Sequence, residues 1–524
     1  MKRFIEPRLD RFQHTFLRES LDESIGSDNP VRVYDFILSR HDWAEWEGEY
    51  PGGGRPSYPP DVMCKLLVYG YSRGIRSSRQ LEYACRNNRD FIWLMSGLTP
   101  DHDTIADFRR RHILRFKGVF RTTVGACVEA GLVDMKHVAV DGTRVEANNS
   151  RRKTGTLSGL KLMLKAIDDR IEKILREAEA EDRREDELYG EGVSPNELPD
   201  ELKDLTKRKD ILEKALRKAQ AKTEGAKGMK GKRKDDAEKK RAPYTDPDAD
   251  VMKDKKGGFA PNYTPWIAGD SKRGIIVGEG VTNDHSDAPH FRDAIEEAED
   301  TTGLEVEQAL ADGNYPTTEN LEYCEEKGID PCMAPLKTNL ERKATKCKHP
   351  WPDDVPERAV HADGGTVDGR SIPRGKNGKF DKSAFVYDEK NDRYICPLGH
   401  PLTRSGGVRG KRAMYQCKKC KDCPFVKVCT SSMSKRRAVG READAAIHER
   451  HALRMLDDKK LEDYKLRRRT IEPVFGTIKG PQGLRKFLLR NLDYVRGEWS
   501  IASAAFNIKR FANILRLANK LAVA

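Results

Sequence analysis

Apolar residues change their spacing several times along this chain, and each change predicts a different element. Up to about residue 130 the spacing is helical. Pro59 and Pro60 stand where a helix begins, and Leu66, Leu67, Tyr69 and Tyr71 follow as an apolar block. Gly74 and the stretch TPDHDT then cut the segment into helices of about a dozen residues. GIRSSRQLE fits the turn and second helix of a helix-turn-helix, and fits a plain helical bundle equally well. At HVAVDGTRV, residues 137–145, a short Val-rich run ending in a turn predicts a buried strand.

Between residues 157 and 222 the period becomes heptad-like. Leu160, Leu164, Ile167, Ile171 and Ile174 recur among charges, and after YGEGVSPNELP the stripe resumes at Leu202, Leu205, Leu212 and Leu216. Two stripes around a Gly/Pro break predict an antiparallel helical hairpin. The basic stretch EGAKGMKGKRKDDAEKKR that follows reads as a solvated linker. Strand patterns return at PWIAGD, GIIVGEGV and VEQALADGNY, alternating with helices from Ala288 to Glu299 and from Thr317 to Lys327, and then comes DPCMAPL. Such alternation predicts an α/β core into which the hairpin is inserted. Residues 337–445 read as irregular, and helix resumes from 446 to the end. The predicted organisation is a helical domain over 1–130, the first core strand over 131–156, hairpin and linker over 157–242, and core again over 243–336. An insertion over 337–445 and C-terminal helices over 446–524 complete it.

Composition adds a polarity to this picture. Lys and Arg number 97 against 84 Asp and Glu, a net charge of +13, and only 37% of residues are hydrophobic. A surplus of that sign suits a polyanion, of which nucleic acid is the commonest, or is simply that of a basic soluble protein. The N-terminal MKRFIEPRLDRFQHTF lacks the apolar stretch of a signal peptide, and no apolar run approaches the roughly 20 residues of a membrane span. A cytoplasmic protein without a membrane partner is expected, in which eleven cysteines point to metal rather than disulfides.

Two predicted strands end in Asp-Gly: VAVDG at Asp141 and ALADG at Asp312. Each pair alone is an ordinary turn dipeptide. Together they place two acids where α/β sheets bind ligands. A third acid, Glu472, stands within residues 465–490 among eight Lys and Arg. Three carboxylates can hold two Mg²⁺ ions roughly 4 Å apart, and flanking cations can hold a phosphate backbone against them. A separate metal signal lies in residues 396–429. Cys417, Cys420 and Cys423 are spaced by two residues, with Cys429 close by and Cys396 more distant. Thiolates so spaced grip a tetrahedral structural Zn²⁺. Cys396, Cys420, Cys423 and Cys429 are the expected ligands, with Cys417 and His400 in reserve. Cys64, Cys85, Cys127, Cys324, Cys332 and Cys347 are scattered and read as small core residues. His285 and His290 read as surface residues or neighbours of the acids.

VAVDGTRVEANNS, YTDPDADVMKDKKGGFAPNYTPWIAGD, GVTNDHSD, ALADGNYPTTENLEYCEEKGIDP and RRRTIEPVFGTIK followed by EWSIASAAFNIKR occur in this order. So ordered, they resemble the bacterial insertion-sequence transposases of the DDE class. YPPDVMCKLLVYGYSRGIRSSRQLE through LTPDHDTIADFRRRH is similar to the helical domain ahead of the core in one branch of that family, which also carries a cysteine-bearing zinc-ribbon insertion. The resemblance implies an α/β RNase H-like catalytic core with an all-α N-terminal domain, an inserted helical hairpin and a small zinc-binding insertion. It implies that Asp141, Asp312 and Glu472 bind two Mg²⁺ (or Mn²⁺) ions. Arg467 or Arg468 (Arg469 is a further option), Lys479, Arg485 and Lys486 would contact DNA; Tyr464 does not sit at a clean family spacing from Glu472. The implied activity is metal-dependent cleavage at transposon ends and strand transfer into target DNA. Its partners are double-stranded terminal inverted repeats and target DNA, bound by a homodimer or higher oligomer. The alternatives are a non-catalytic zinc-containing DNA-binding protein, or an RNase H-like nuclease that cuts without joining.

Overall fold

The computed structural model describes residues 20–50, 56–189, 200–224, 240–253, 258–334, 349–375, 377–409 and 412–523. The basic linker at 225–239, the hairpin turn at 190–199 and Cys347 lie outside them. The chain divides into two units, one of residues 1–306 with 468–524 and the other of residues 307–467.

In the first unit the polypeptide opens with helices, among them Pro60–Ser72, Ser78–Asn87, His102–His112 and Phe116–Glu129. Pro60 occupies the first turn of its helix, where its missing N–H costs nothing. Asp101 of TPDHDT caps the next break, its carboxylate accepting from the Thr104 amide at 2.7 Å. The strands follow as β1 (His137–Gly142), β2 (Val145–Glu146), β3 (Thr154–Gly155), β4 (Ala242–Pro243), β5 (Asp250–Lys253), β6 (Phe259–Asp270) and β7 (Ile275–Thr282), with β3 and β4 a separate pair outside the sheet. Strand β6 is buried along nearly its whole length because it pairs on both sides. Its C-terminal half lies antiparallel between β1 and β7, and its N-terminal half pairs with β2 and β5.

Helices Leu157–Tyr189 and Asp200–Glu224 pack together through Leu160, Leu164, Ile167, Leu212, Ala215 and Ala219, the heptad stripe of the sequence. The β3–β4 pair closes the base of this hairpin. The long C-terminal helix Leu492–Val523 packs on β7 and on the helices Pro60–Ser72 and Phe116–Glu129. Buried on several sides, it has an apolar run rather than a single stripe. Its Asn507 side chain both donates to and accepts from Ile276, at 2.8 and 2.9 Å, and so satisfies the open edge of β7.

The second unit starts with β8 (Gln308–Ala311) and β9 (Asp330–Met333), a parallel pair joined through helix Thr318–Lys327. Residues 337–445, read from sequence as irregular, are corrected here. They hold a small antiparallel pair, β10 (Arg358–Val360) and β11 (Thr366–Asp368). A five-stranded meander follows: β12 (Val386–Asp388), β13 (Arg393–Ile395), β14 (Pro401–Arg409), β15 (Arg412–Cys417) and β16 (Ala438–Glu442). Three of its strands have five or fewer residues, too short for a period of two to register. Their core is assembled from scattered aromatics, including Phe380, Phe385, Tyr394, Tyr415 and Phe425.

Candidate active site

Glu472 lies in the helix Asp458–Lys479 with Pro473 beside it, inside the helix and not at its start. Thr470, Ile471, Val474 and Ile478 form the buried stripe, while Glu472 points to solvent with a side chain 64% exposed. The ring of Pro473 removes one helical donor, and burial of Thr470 and Ile471 before it and of Val474 and Ile478 after it keeps the helix seated. The helix meets the sheet over β6. Thr470 and Ile471 pack over Gly269, so closely that a Cβ there would stand 3.2 Å from Thr470. Gly269 pairs with Ala139 of β1, so both face the helix. Asp141, two residues on, points to that same face. At the far end the Lys479 ammonium reaches Thr143 Oγ1 and the Arg144 carbonyl. Asp141 and Glu472 therefore lie on a strand and a helix that belong to one packed region of the first unit. Asp312 follows β8 in the second unit, where its carboxylate accepts from the Asn314 amide at 2.8 Å and lies 4.0 Å from Arg467.

The two glycines after the aspartates have different reasons. Neither has a positive φ, so a sharp turn explains neither. At Gly142 a Cβ would come within 2.1 Å of the Asp287 carboxylate and 2.7 Å of its Cβ. At Gly313 the nearest atom would be Ala334 Cβ at an ordinary 3.6 Å. Gly142 is there because Asp287, from NDHSD, lies against the end of β1 beside Asp141. Asp287 precedes a helical turn but makes no side-chain cap to it. Gly142→Ala is expected to destabilise the protein by about 1–3 kcal/mol through overpacking, whereas Gly313→Ala should stay within about 0.5 kcal/mol of wild type. Urea melts of the two variants separate these cases. Asp287 was missed from sequence because only the tertiary contact with Gly142 singles it out.

The cations expected to meet DNA are held in place. The Arg468 Nε–H is shared between the two carboxylate oxygens of Glu472, one helical turn on, at 3.0 and 3.1 Å. The Arg485 guanidinium donates to the Lys479 carbonyl at 3.0 Å, and the backbone at Lys486 pairs with that of Glu146 in β2. Both are exposed. His285 pairs with Asp250 at 3.1 Å, and His290 lies between Asp284 and Asp293, each at 2.8 Å. These two carboxylates raise the imidazole's proton affinity against the opposing effect of burial.

Carboxylate oxygens are hard donors of the kind Mg²⁺ and Mn²⁺ take. Among the described residues, however, no group of three or more His, Cys, Asp or Glu is gathered to hold a metal ion. The same finding bears on zinc. Cys396, Cys417, Cys420, Cys423, Cys429 and His400 do line one cavity of about 20 Å³. Within it the Cys417 and Cys420 thiols neighbour each other, which pushes the proton affinity of Cys420 down and that of Cys417 up. The sulfurs of Cys396 and Cys420 accept from the His400 and Arg437 amides at 3.3 and 3.5 Å. Among the described residues the zinc expectation finds no ligand geometry in support. Cys64, Cys85, Cys127, Cys324 and Cys332 are buried and far up-shifted by desolvation, as core thiols are.

No helix among the described residues is long and apolar enough to cross a membrane. Residues 19–111 match the family model "Transposase domain (DUF772)", and residues 395–512 match "Transposase DDE domain". The second match includes Glu472 and both the cysteine cavity and the basic segment around Lys479. No curated protein and no solved structure gives a significant match.

Proposed function

We propose that the chain, which carries both matched domains, is an insertion-sequence transposase of the DDE type, and that it cleaves DNA at transposon ends and joins the freed ends to target DNA. The observation that carries this reading is that the helix of Glu472 packs on the sheet that holds Asp141 and ends with Lys479 bound to Thr143 and Arg144, just after Asp141. A cation suited to phosphate thus stands near the strand end that carries one of the acids suited to a divalent ion. Asp312 is proposed as the third acid from its place in the ALADG motif, and the core is proposed to be RNase H-like.

DDE transposases use divalent metals, and when bound here Mg²⁺ or Mn²⁺ would activate the attacking oxygen and stabilise the leaving one. Asp141, Asp312 and Glu472 would hold them. The chain's other residues act on the DNA. Lys479, anchored between Thr143 and Arg144, presents a fixed positive charge at the strand end carrying Asp141. Arg467 and Arg468 offer guanidinium forks to the backbone on either side of the scissile phosphate. Such positioning holds the attacking hydroxyl in line with the leaving oxygen. The helical N-terminal domain would bind the terminal inverted repeats, with the protein acting as a homodimer or higher oligomer on paired ends.

The test combines protein, Mg²⁺, a labelled terminal-repeat duplex and a target plasmid, with Asp141→Ala as the control. Joined product from wild type alone supports the reading. Joined product from the variant too would sink the assigned chemistry, and cleavage without joining would favour a nuclease.

A further inference from the structure

Glu498 is a fully buried carboxylate with no part in the chemistry above. It stands in the C-terminal helix, one residue before Trp499, and its partners all lie at a distance along the chain. The amides of Leu488 and Leu489 donate to it at 2.9 and 3.0 Å, the Tyr71 hydroxyl at 3.1 Å, and Arg76 pairs with it at 3.4 Å. Arg76 also donates to the carbonyls of Lys486 and Gly483, each at 2.9 Å. One acid and one arginine therefore hold both ends of the segment 483–489. Burial raises the carboxyl's affinity for a proton, while the surrounding amide donors and Arg76 favour the charged form.

The segment so held behaves as an added strand. The Glu146 amide donates to the Arg485 carbonyl at 3.1 Å, and the Phe487 amide donates to the Glu146 carbonyl at 2.9 Å. Leu484 and Phe487 turn inward and are buried, while Arg485, Lys486 and Arg490 are exposed. The Arg490 guanidinium is steadied by the Asn148 carbonyl at 3.0 Å. Three cations thus project from a backbone with no freedom to retreat, on the segment that leaves the Glu472 helix. A mobile loop would lose ordering entropy on binding a polyanion, and this one has already lost it.

We propose that Glu498 and Arg76 form a clamp presenting Arg485, Lys486 and Arg490 as a rigid track for the duplex backbone, so that Arg76, at the turn after helix Pro60–Ser72, ties the N-terminal helices to the DNA path of the core. The proposal rests on the reading of duplex DNA as substrate. Its distinguishing consequence concerns sign. Glu498→Gln removes a negative charge, which by net charge alone should tighten DNA binding. Through the clamp it weakens binding, because an amide cannot accept from both backbone donors and hold Arg76.

The experiment has two readouts. Hydrogen exchange on the DNA-free protein should show Leu488 and Leu489 amides exchanging at least about 10-fold faster in Glu498→Gln, with β1 and β6 unchanged. Titration of a terminal-repeat duplex at several salt concentrations should show about 10-fold weaker binding and a shallower salt dependence. The triple variant Arg485→Ala, Lys486→Ala, Arg490→Ala should flatten the slope by about 2–3, as expected for that many lost phosphate contacts. Arg76→Lys, which keeps the charge but not the three-way donation, should reproduce the Glu498→Gln result if that variant is poorly folded. Unchanged protection, or equal or tighter binding with an unchanged slope, overturns the clamp. Loss of joining activity in wild type with both readouts intact would overturn the transposition reading and leave the clamp standing.

Discussion

Asp141→Asn is expected to lower cleavage and joining by at least about 10³-fold, roughly 4 kcal/mol of transition-state stabilisation, while leaving the fold and DNA affinity close to wild type. The substitution keeps the side-chain volume at the end of β1. It also keeps an oxygen for the Gly142 amide, which Asp141 accepts at 2.9 Å. What it removes is a charge facing the helix of Glu472, and with it an oxygen ligand for a divalent ion. Glu472→Gln should behave alike for a different structural reason. That side chain is exposed, and its pair with Arg468 is a surface ion pair worth at most about 1 kcal/mol. Residues that act as a unit are not additive, so the double variant should be scarcely slower than either single one. The assay is strand transfer at saturating Mg²⁺, with melting curves and duplex titrations on the same preparations. A single variant retaining more than about a tenth of the activity would remove that acid from the proposed chemistry.

Trp499→Ala carries the largest expected effect on stability, about 3–5 kcal/mol. The indole is fully buried where the C-terminal helix meets the sheet, and its Nε1–H donates to the Trp266 carbonyl at 3.3 Å. Truncation leaves a cavity in a helix packed on several sides, which cannot collapse without pulling away from β7 or from the N-terminal helices. The neighbour Gly497 restricts relaxation further, since a Cβ there would stand 2.1 Å from the Ile113 carbonyl. The midpoint of thermal unfolding should fall by on the order of 10 °C, with Trp499→Phe losing much less. A midpoint within about 2 °C of wild type would mean that this helix is not a keystone of the first unit.

The candidate acids were legible because each sits in a short local pattern. Asp141 ends an apolar run, Asp312 ends a similar one, and Glu472 interrupts a basic helix. The hairpin was legible for the same reason, since a heptad stripe is a property of one helix face. Residues 337–445 were not legible, because most of their strands have only three to six residues and too little periodicity, and their aromatic core is drawn from separated positions. Pro473 was ambiguous for a related reason. Sequence admits a helix that starts at a proline or one that tolerates it, and only the burial of Val474 and Ile478 beyond it decides.

By itself the sequence determined the residue types available for chemistry, the basic setting of Glu472 and the elements that hold the acids, because these depend on composition and on spacing within a few residues. The tertiary structure decided what distant segments do to one another. It showed that Gly142 answers to Asp287 and not to a turn, and that five cysteines share a cavity without metal-ligand geometry. It also showed Glu498, an unremarkable acid of the C-terminal helix, buried against the backbone of the basic segment. None of these has a local pattern, since burial, close approach and the pairing of a buried charge arise only when the chain folds back on itself.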